Sequence, residues 1–169
     1  KNAKLIDRNS TRAIILAGRV KAIQHDHHGA IEEWMRGANL HSELPGEIYK
    51  LIHSSYKILG DLDEYRNFLL EMLEVRDDIR LVLALTEYLC NYEGEEQAEI
   101  FLLERIRRSP SVSGLHRLIQ IRLSKRGAPS NNDLKLLEQL IGGIVDDNSG
   151  YECRQCGFHG KVMHWQCPG

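Results

Sequence analysis

Apolar residues recur at three- and four-residue spacing along most of the chain. Segment 11–24 carries Ile14, Ala17 and Gly18, then Val20, Ala22 and Ile23. Segment 47–59 carries Ile48, Leu51, Ile52, Tyr56 and Leu59, and 78–92 carries Ile79, Val82, Leu85, Tyr88 and Leu89. Such spacing gathers the apolar side chains on one face of a 3.6-residue helix and predicts amphipathic helices. Pro110 and the pair Pro45-Gly46 fall where helices should stop. A less regular pair follows. Segment 113–125 carries Leu115, Leu118, Ile119, Ile121 and Leu123, and 132–145 carries Leu134, Leu137, Leu140, Ile141 and Ile144. The loop Arg126-Gly127-Ala128-Pro129-Ser130-Asn131 separates them.

The pattern also repeats. Ala30, Tyr65 and Ala98 stand 35 and 33 residues apart, close to the 34-residue period of tetratricopeptide repeats. A short polar turn precedes each: Asp26-His27-His28-Gly29, Gly60-Asp61 and Glu93-Gly94-Glu95. Four residues after each stands a large apolar residue, Trp34, Leu69 or Leu102. A small or moderate residue lets two antiparallel helices approach, and the large one fills the space against the next hairpin. The expected fold is therefore all-α: a tetratricopeptide-like solenoid of helical hairpins over 1–147, about three repeats and an atypical capping hairpin. Residues 1–10, with Ala3, Ile6, Asp7 and Asn9, read as the end of a preceding repeat, so the array is expected to continue upstream. Gly142-Gly143 and Asp146-Asp147-Asn148-Ser149-Gly150 interrupt the pattern and put a domain boundary near 148.

Composition narrows the classes. Hydrophobic residues make up 42% and charged residues 27% of the 169 residues, enough apolar side chains for a core and too many for a disordered chain. A formal net charge of -2 does not favour a broad nucleic-acid or anionic-membrane face. No apolar run approaches the roughly 20 residues of a membrane span, and the first ten residues lack the apolar core of a signal peptide.

The cysteines carry the candidate chemistry. Cys153, Cys156 and Cys167 crowd into the end of the chain, while Cys90 stands alone in a helical pattern. Clustering of this kind suits a metal site in a reducing compartment better than a disulfide framework. Cys153 and Cys156 form a C-x-x-C followed by Gly157, which tolerates the positive φ that such a turn needs. Ten residues later, Cys167-Pro168-Gly169 begins a similar turn, whose partner would stand one position past Gly169. A four-cysteine site for one metal ion is the reading, over a small knuckle spanning 148–169. So short a segment buries too little surface to fold alone, so the metal would supply much of its folding free energy. Thiolates accept iron and zinc alike. His159, His164, water or a neighbouring molecule could take the fourth position, and a redox or plain structural C-x-x-C is the competing reading. His25, Asp26, His27 and His28 read as a solvated turn, and Cys90 as a small buried hydrophobe. Trp34, Tyr49, Tyr56, Tyr65 and Tyr88 read as hairpin packing, with some available to a concave binding face. The run Arg105-Ile106-Arg107-Arg108 closes a helix, where cations suit the macrodipole. No catalytic triad, phosphate loop or carboxylate pair is recognisable.

Helical hairpins running directly into C-x-x-C-G and then W-x-C-P resemble one family closely. Asn9-Ser10, Ala13, Gly18-Arg19-Val20, the stretch Ala30 to Arg36, Arg107, Pro110 and Leu115 to Leu118 carry the resemblance. So, most specifically, do Tyr151, Cys153, Cys156-Gly157-Phe158, Trp165 and Cys167-Pro168. The chain is similar to the lipopolysaccharide assembly protein B family of bacterial inner-membrane proteins, which join tetratricopeptide repeats to a C-terminal rubredoxin-like domain. The resemblance implies a non-enzymatic C-terminal portion of such a protein, with metal ligands at Cys153, Cys156 and Cys167. It implies a place on the cytoplasmic face of the inner membrane, held there by an N-terminal helix that this chain lacks. It further implies an adaptor through which a membrane AAA+ protease degrades the deacetylase that commits material to lipid A, in association with lipopolysaccharide biosynthetic enzymes. Self-association is left open beside these partners. Rubredoxin-like electron transfer is the runner-up. Nucleic-acid binding by a zinc ribbon has only Arg154, Lys161 and two histidines in its favour, and is not expected.

Overall fold

A computed structural model of the chain describes residues 10–40, 46–124, 132–148, 151–153, 156–160 and 168, the side chains of 132–136, 146–148 and 151 aside. Eight helices follow one another among them: α1 (Thr11–Ile23), α2 (His27–Leu40), α3 (Glu47–Leu59), α4 (Leu62–Val75), α5 (Ile79–Tyr92), α6 (Glu95–Arg108), α7 (Val112–Ser124) and α8 (Asn132–Asn148). Up to residue 148 the described residues are all-helical outside their turns, consistent with the helical-hairpin repeat read from the sequence. Two short strands follow, β1 (Tyr151–Glu152) and β2 (His159–Gly160). Among the described residues no helix is long and apolar enough to cross a membrane. The helices pack into two units, Lys1–Leu85 and Thr86–Gly169.

In the first unit, α1 and α2 approach through two glycine notches. A Cβ at Gly18 would lie 2.2 Å from Trp34 Nε1, and one at Gly37 would lie 2.8 Å from Ile14 Cγ2. Each helix therefore lacks a side chain where the other inserts a large one. Trp34 is 1% exposed, and its indole N–H donates to the carbonyl of Ile15 at 3.3 Å, which removes the cost of burying that polar group. Downstream, the Tyr65 hydroxyl donates to the Tyr49 carbonyl at 3.2 Å and fastens α4 to α3. Burial pushes the Tyr49 phenol above its ordinary value; Asp78 adds to this, and Arg80 and Arg76 oppose it. Arg19 of α1 pairs with Glu47 of α3. The aligned residues Ala30, Tyr65 and Ala98 are all buried, as are Trp34, Leu69 and Leu102.

One turn differs from its reading. His27, His28 and Gly29 belong to the first turn of α2. Asp26 accounts for this: its Oδ1 accepts from the Gly29 N–H at 2.9 Å, an N-cap bond that lets the helix begin one residue later. Asp78 and Ser111 act likewise, accepting from Arg80 N–H at 2.9 Å and Gly114 N–H at 3.0 Å.

In the second unit, Tyr88, Leu89, Ala98, Leu102, Leu118, Ile119 and Ile121 form the core. Arg122 donates to Glu99 at 2.8 Å and Ser124 to Glu95 at 2.8 Å, linking α7 to α6. His116 Nε2 lies 2.9 Å from Glu138 Oε1, linking α7 to α8. The glycine pair 142–143 lies inside α8, which runs to Asn148 rather than breaking there. Gly142 has a packing reason: a Cβ on it would meet His116 Nε2 at 3.3 Å, whereas one on Gly143 meets nothing within 4 Å. Cys90 also departs from its reading. It is half-buried, with Arg117 Nη2 3.7 Å from its sulfur. Burial pushes its thiol up, and the nearby Arg117 opposes that rise.

Two outcomes follow from these contacts. Gly18→Ala gains the helix preference of alanine, about 1 kcal/mol, but drives a methyl into Trp34 and should lower stability overall by roughly 1–2 kcal/mol. Gly143→Ala, facing open space, should raise it by about 0.5–1 kcal/mol; urea midpoints of the two variants should move in opposite directions. The raised thiol predicts that Cys90 alkylates slowly at neutral pH and faster as pH rises. Removal of the guanidinium in Arg117→Ala should slow it further, as mass spectrometry of iodoacetamide-treated protein would report.

Candidate metal centre

The cysteine turn is built from backbone outward. Strands β1 and β2 pair antiparallel, with Tyr151 opposite Gly160 and Glu152 opposite His159. The pairing returns the chain on itself and closes the segment that contains Cys153 and Cys156. Within it, Cys153 N–H donates to the Phe158 carbonyl at 2.8 Å, and Gly157 N–H donates to the Cys153 carbonyl at 2.8 Å. Gly157 has φ +73°, with no atom within 4 Å of a Cβ built there. A side chain would thus be opposed by backbone conformation rather than by crowding. The glycine after the C-x-x-C serves the purpose read from the sequence.

Cys153 is half-buried and Cys156 exposed. Sulfurs three residues apart across a tight turn form a donor set of the kind that structural zinc and iron sites use. Cys167, Trp165 and His164 lie outside the described residues, so the described part of the turn holds two of the three cysteines assigned to the metal. Among the described residues no three His, Cys, Asp or Glu side chains are grouped to hold an ion. His159, one of the candidates for a fourth position, is exposed, with Nε2 3.9 Å from Glu152 Oε1 on the facing strand.

Burial divides the aromatic residues of the helices. Tyr49, Tyr65 and Tyr88 are buried and belong to the core; Tyr56 is half-buried, its hydroxyl 3.9 Å from Met35 Sδ. The feature that the sequence reading missed is a second apolar stripe on α1. Leu16, Val20 and Ile23 are 41%, 53% and 78% exposed, offset around the helix from the buried Ile14 and Gly18. Val20 and Ile23 were read among the apolar residues of this helix and Leu16 was not singled out, because periodicity alone does not say which apolar residues a neighbouring helix covers. Leu137, Leu140 and Ile144 form a comparable exposed line on α8.

No protein-family model matches the chain. Over 169 residues, 99% of the chain, it is 26% identical to lipopolysaccharide assembly protein B of Escherichia coli strain K12, of which it spans 43%. The same figures hold for the protein of that name from Escherichia coli O157:H7. Over 158 residues it is 23% identical to lipopolysaccharide assembly protein B of Haemophilus influenzae, covering 40% of that protein. The chain thus spans less than half the length of each relative. The resemblance read from the repeats and the cysteine turn therefore holds along nearly the whole chain, which is similar throughout to lipopolysaccharide assembly protein B.

Proposed function

We propose that this chain is a non-catalytic scaffold acting in lipopolysaccharide assembly, on the cytoplasmic face of a bacterial inner membrane. The observation that carries the reading is the collinear similarity to lipopolysaccharide assembly protein B over 99% of the chain. Tetratricopeptide-like hairpins suit the part, because stacked helices offer extended faces for protein partners. In this reading the scaffold brings the lipid A-committing deacetylase to a membrane AAA+ protease and associates with enzymes of lipopolysaccharide assembly. An exposed apolar line such as Leu16-Val20-Ile23 has the character of a protein-contact face.

The cysteine turn in this reading is a rubredoxin-like knuckle. Cys153, Cys156 and Cys167 hold one iron or zinc ion together with a fourth ligand. A bound ion would tie the thiolates together and supply folding free energy to a segment with little core. The residues themselves contribute the turn: the Cys153 carbonyl accepts from Gly157 N–H, and Gly157 takes the left-handed backbone. Rubredoxin-like electron transfer is the second reading, favoured by the same C-x-x-C-G turn.

Two measurements test these statements. In a bacterium whose own copy is replaced by a full-length version carrying this segment, Cys153→Ser with Cys156→Ser should slow turnover of the deacetylase several-fold. Unchanged turnover with intact protein levels would count against a working knuckle. Elemental analysis of the full-length protein from native cells should find one ion per chain, lost in the same double variant. An iron-loaded protein with a reversible visible-light signature on reduction would favour electron transfer, and a colourless zinc protein would exclude it.

A further inference from the structure

The turn between α1 and α2 places a histidine in a conformation that its counterpart gives to glycine. At the end of α3, Gly60 N–H donates to the Lys57 carbonyl and Asp61 N–H to the Tyr56 carbonyl at 3.1 Å, with Gly60 at φ +81°. At the end of α1, His25 N–H donates to the Ala22 carbonyl at 3.0 Å and Asp26 N–H to the Lys21 carbonyl at 2.9 Å, with His25 at φ +62°. The two turns are the same helix-terminating motif. Positions 25 and 60 are 35 residues apart, the interval from Ala30 to Tyr65. A histidine therefore occupies the left-handed position that the next repeat gives to glycine. A Cβ disfavours that conformation. Packing offers no compensation, since His25 is exposed. A strained residue retained at a surface turn points to a use for its side chain.

The ring beside it suggests the use. The imidazoles of His25 and His27 have centroids 6.4 Å apart with planes at 65°. Imidazoles that share one ion, at metal–nitrogen distances of about 2.1 Å, have centroids roughly 5–6 Å apart, close to the separation of His25 and His27. His27 is held from behind: its Nδ1 lies 3.2 Å from the Oγ of Ser55 on α3, a hydroxyl that is itself buried. With Nδ1–H donated to Ser55, Nε2 keeps its lone pair. This is how an outer hydrogen bond orients a metal-binding histidine. Asp26 is committed to the Gly29 N–H and keeps α2 starting at His27.

We infer that His25 and His27 form a surface site for a divalent first-row transition ion of the imidazole-preferring class, such as nickel, copper or zinc. Two protein nitrogens bind it and water completes its shell. Among the described residues no third His, Cys, Asp or Glu is grouped with them. The site differs in donor type from the thiolate turn at Cys153 and Cys156, and does not depend on that turn being filled.

Nickel(II) titrated into the full chain, followed by residue-resolved amide NMR, tests the inference. Paramagnetic broadening should centre on His25, Asp26, His27 and Ser55 and saturate. In His25→Gly, which suits the left-handed backbone and should leave the fold intact, apparent affinity should fall by more than about tenfold. His27→Gln should do the same without relieving the turn. Broadening that persists unchanged in His25→Gly, or spreads equally over the other exposed histidines, means an adventitious ion only and overturns the site. Thiolate loading at residues 153–157 appears as separate signals and cannot be confused with it.

Discussion

The close approach of α1 and α2 governs the rest of the first unit. Gly18 and Gly37 are absences that acquire meaning only through Trp34 and Ile14, the side chains that enter them. The indole N–H would be an unsatisfied buried donor were it not bonded to Ile15 O, so depth of insertion and hydrogen bonding are one requirement. Once Trp34 is seated, the face that α2 offers to α3 is set, and Ser55 can meet His27 across that contact. Later hairpins solve the same problem differently. Tyr65 is bulkier than Ala30 and is accommodated because its hydroxyl reaches the Tyr49 carbonyl.

Much of this was legible in the order of residues. Helix positions followed from apolar periodicity, and the alignment of Ala30, Tyr65 and Ala98 was meaningful because all three are buried. Turn residues were harder. His27-His28-Gly29 has the composition of a loop, yet Asp26 caps it into a helix, and polarity alone does not distinguish a capped first turn from a loop. Gly142-Gly143 looked like a break because glycine weakens helices. One of the pair makes room for His116, a contact between residues 26 positions apart that no local pattern reveals. Cys90 was misjudged for a similar reason: its neighbour Arg117 comes from another helix. For the cysteine turn, the value of Gly157 was predictable from the C-x-x-C spacing. Cys167 lies outside the described residues, and its place in the site rests on spacing alone.

The chain separates two kinds of donor. Sulfurs occupy a turn closed by a two-strand ladder, where backbone N–H groups shape the loop. Imidazoles occupy a helix-to-helix turn backed by a buried hydroxyl. Between them runs a scaffold whose buried groups are overwhelmingly apolar, with Ser55 and Thr86 the buried polar residues among those described. Charged side chains tie neighbouring helices at the surface, as in Glu99–Arg122 and Glu47–Arg19.

The tight turns at His25 and Gly60 have a kinetic consequence. Because each reverses the chain within a few residues, the helices it joins meet while separated by little intervening chain, and closing the loop sacrifices little entropy. Contacts of such low sequence separation form early, and proteins dominated by them fold on the microsecond to millisecond scale. Each hairpin is thereby a nucleus in its own right, and a chain emerging from the ribosome can consolidate one pair of helices before the next has been synthesised.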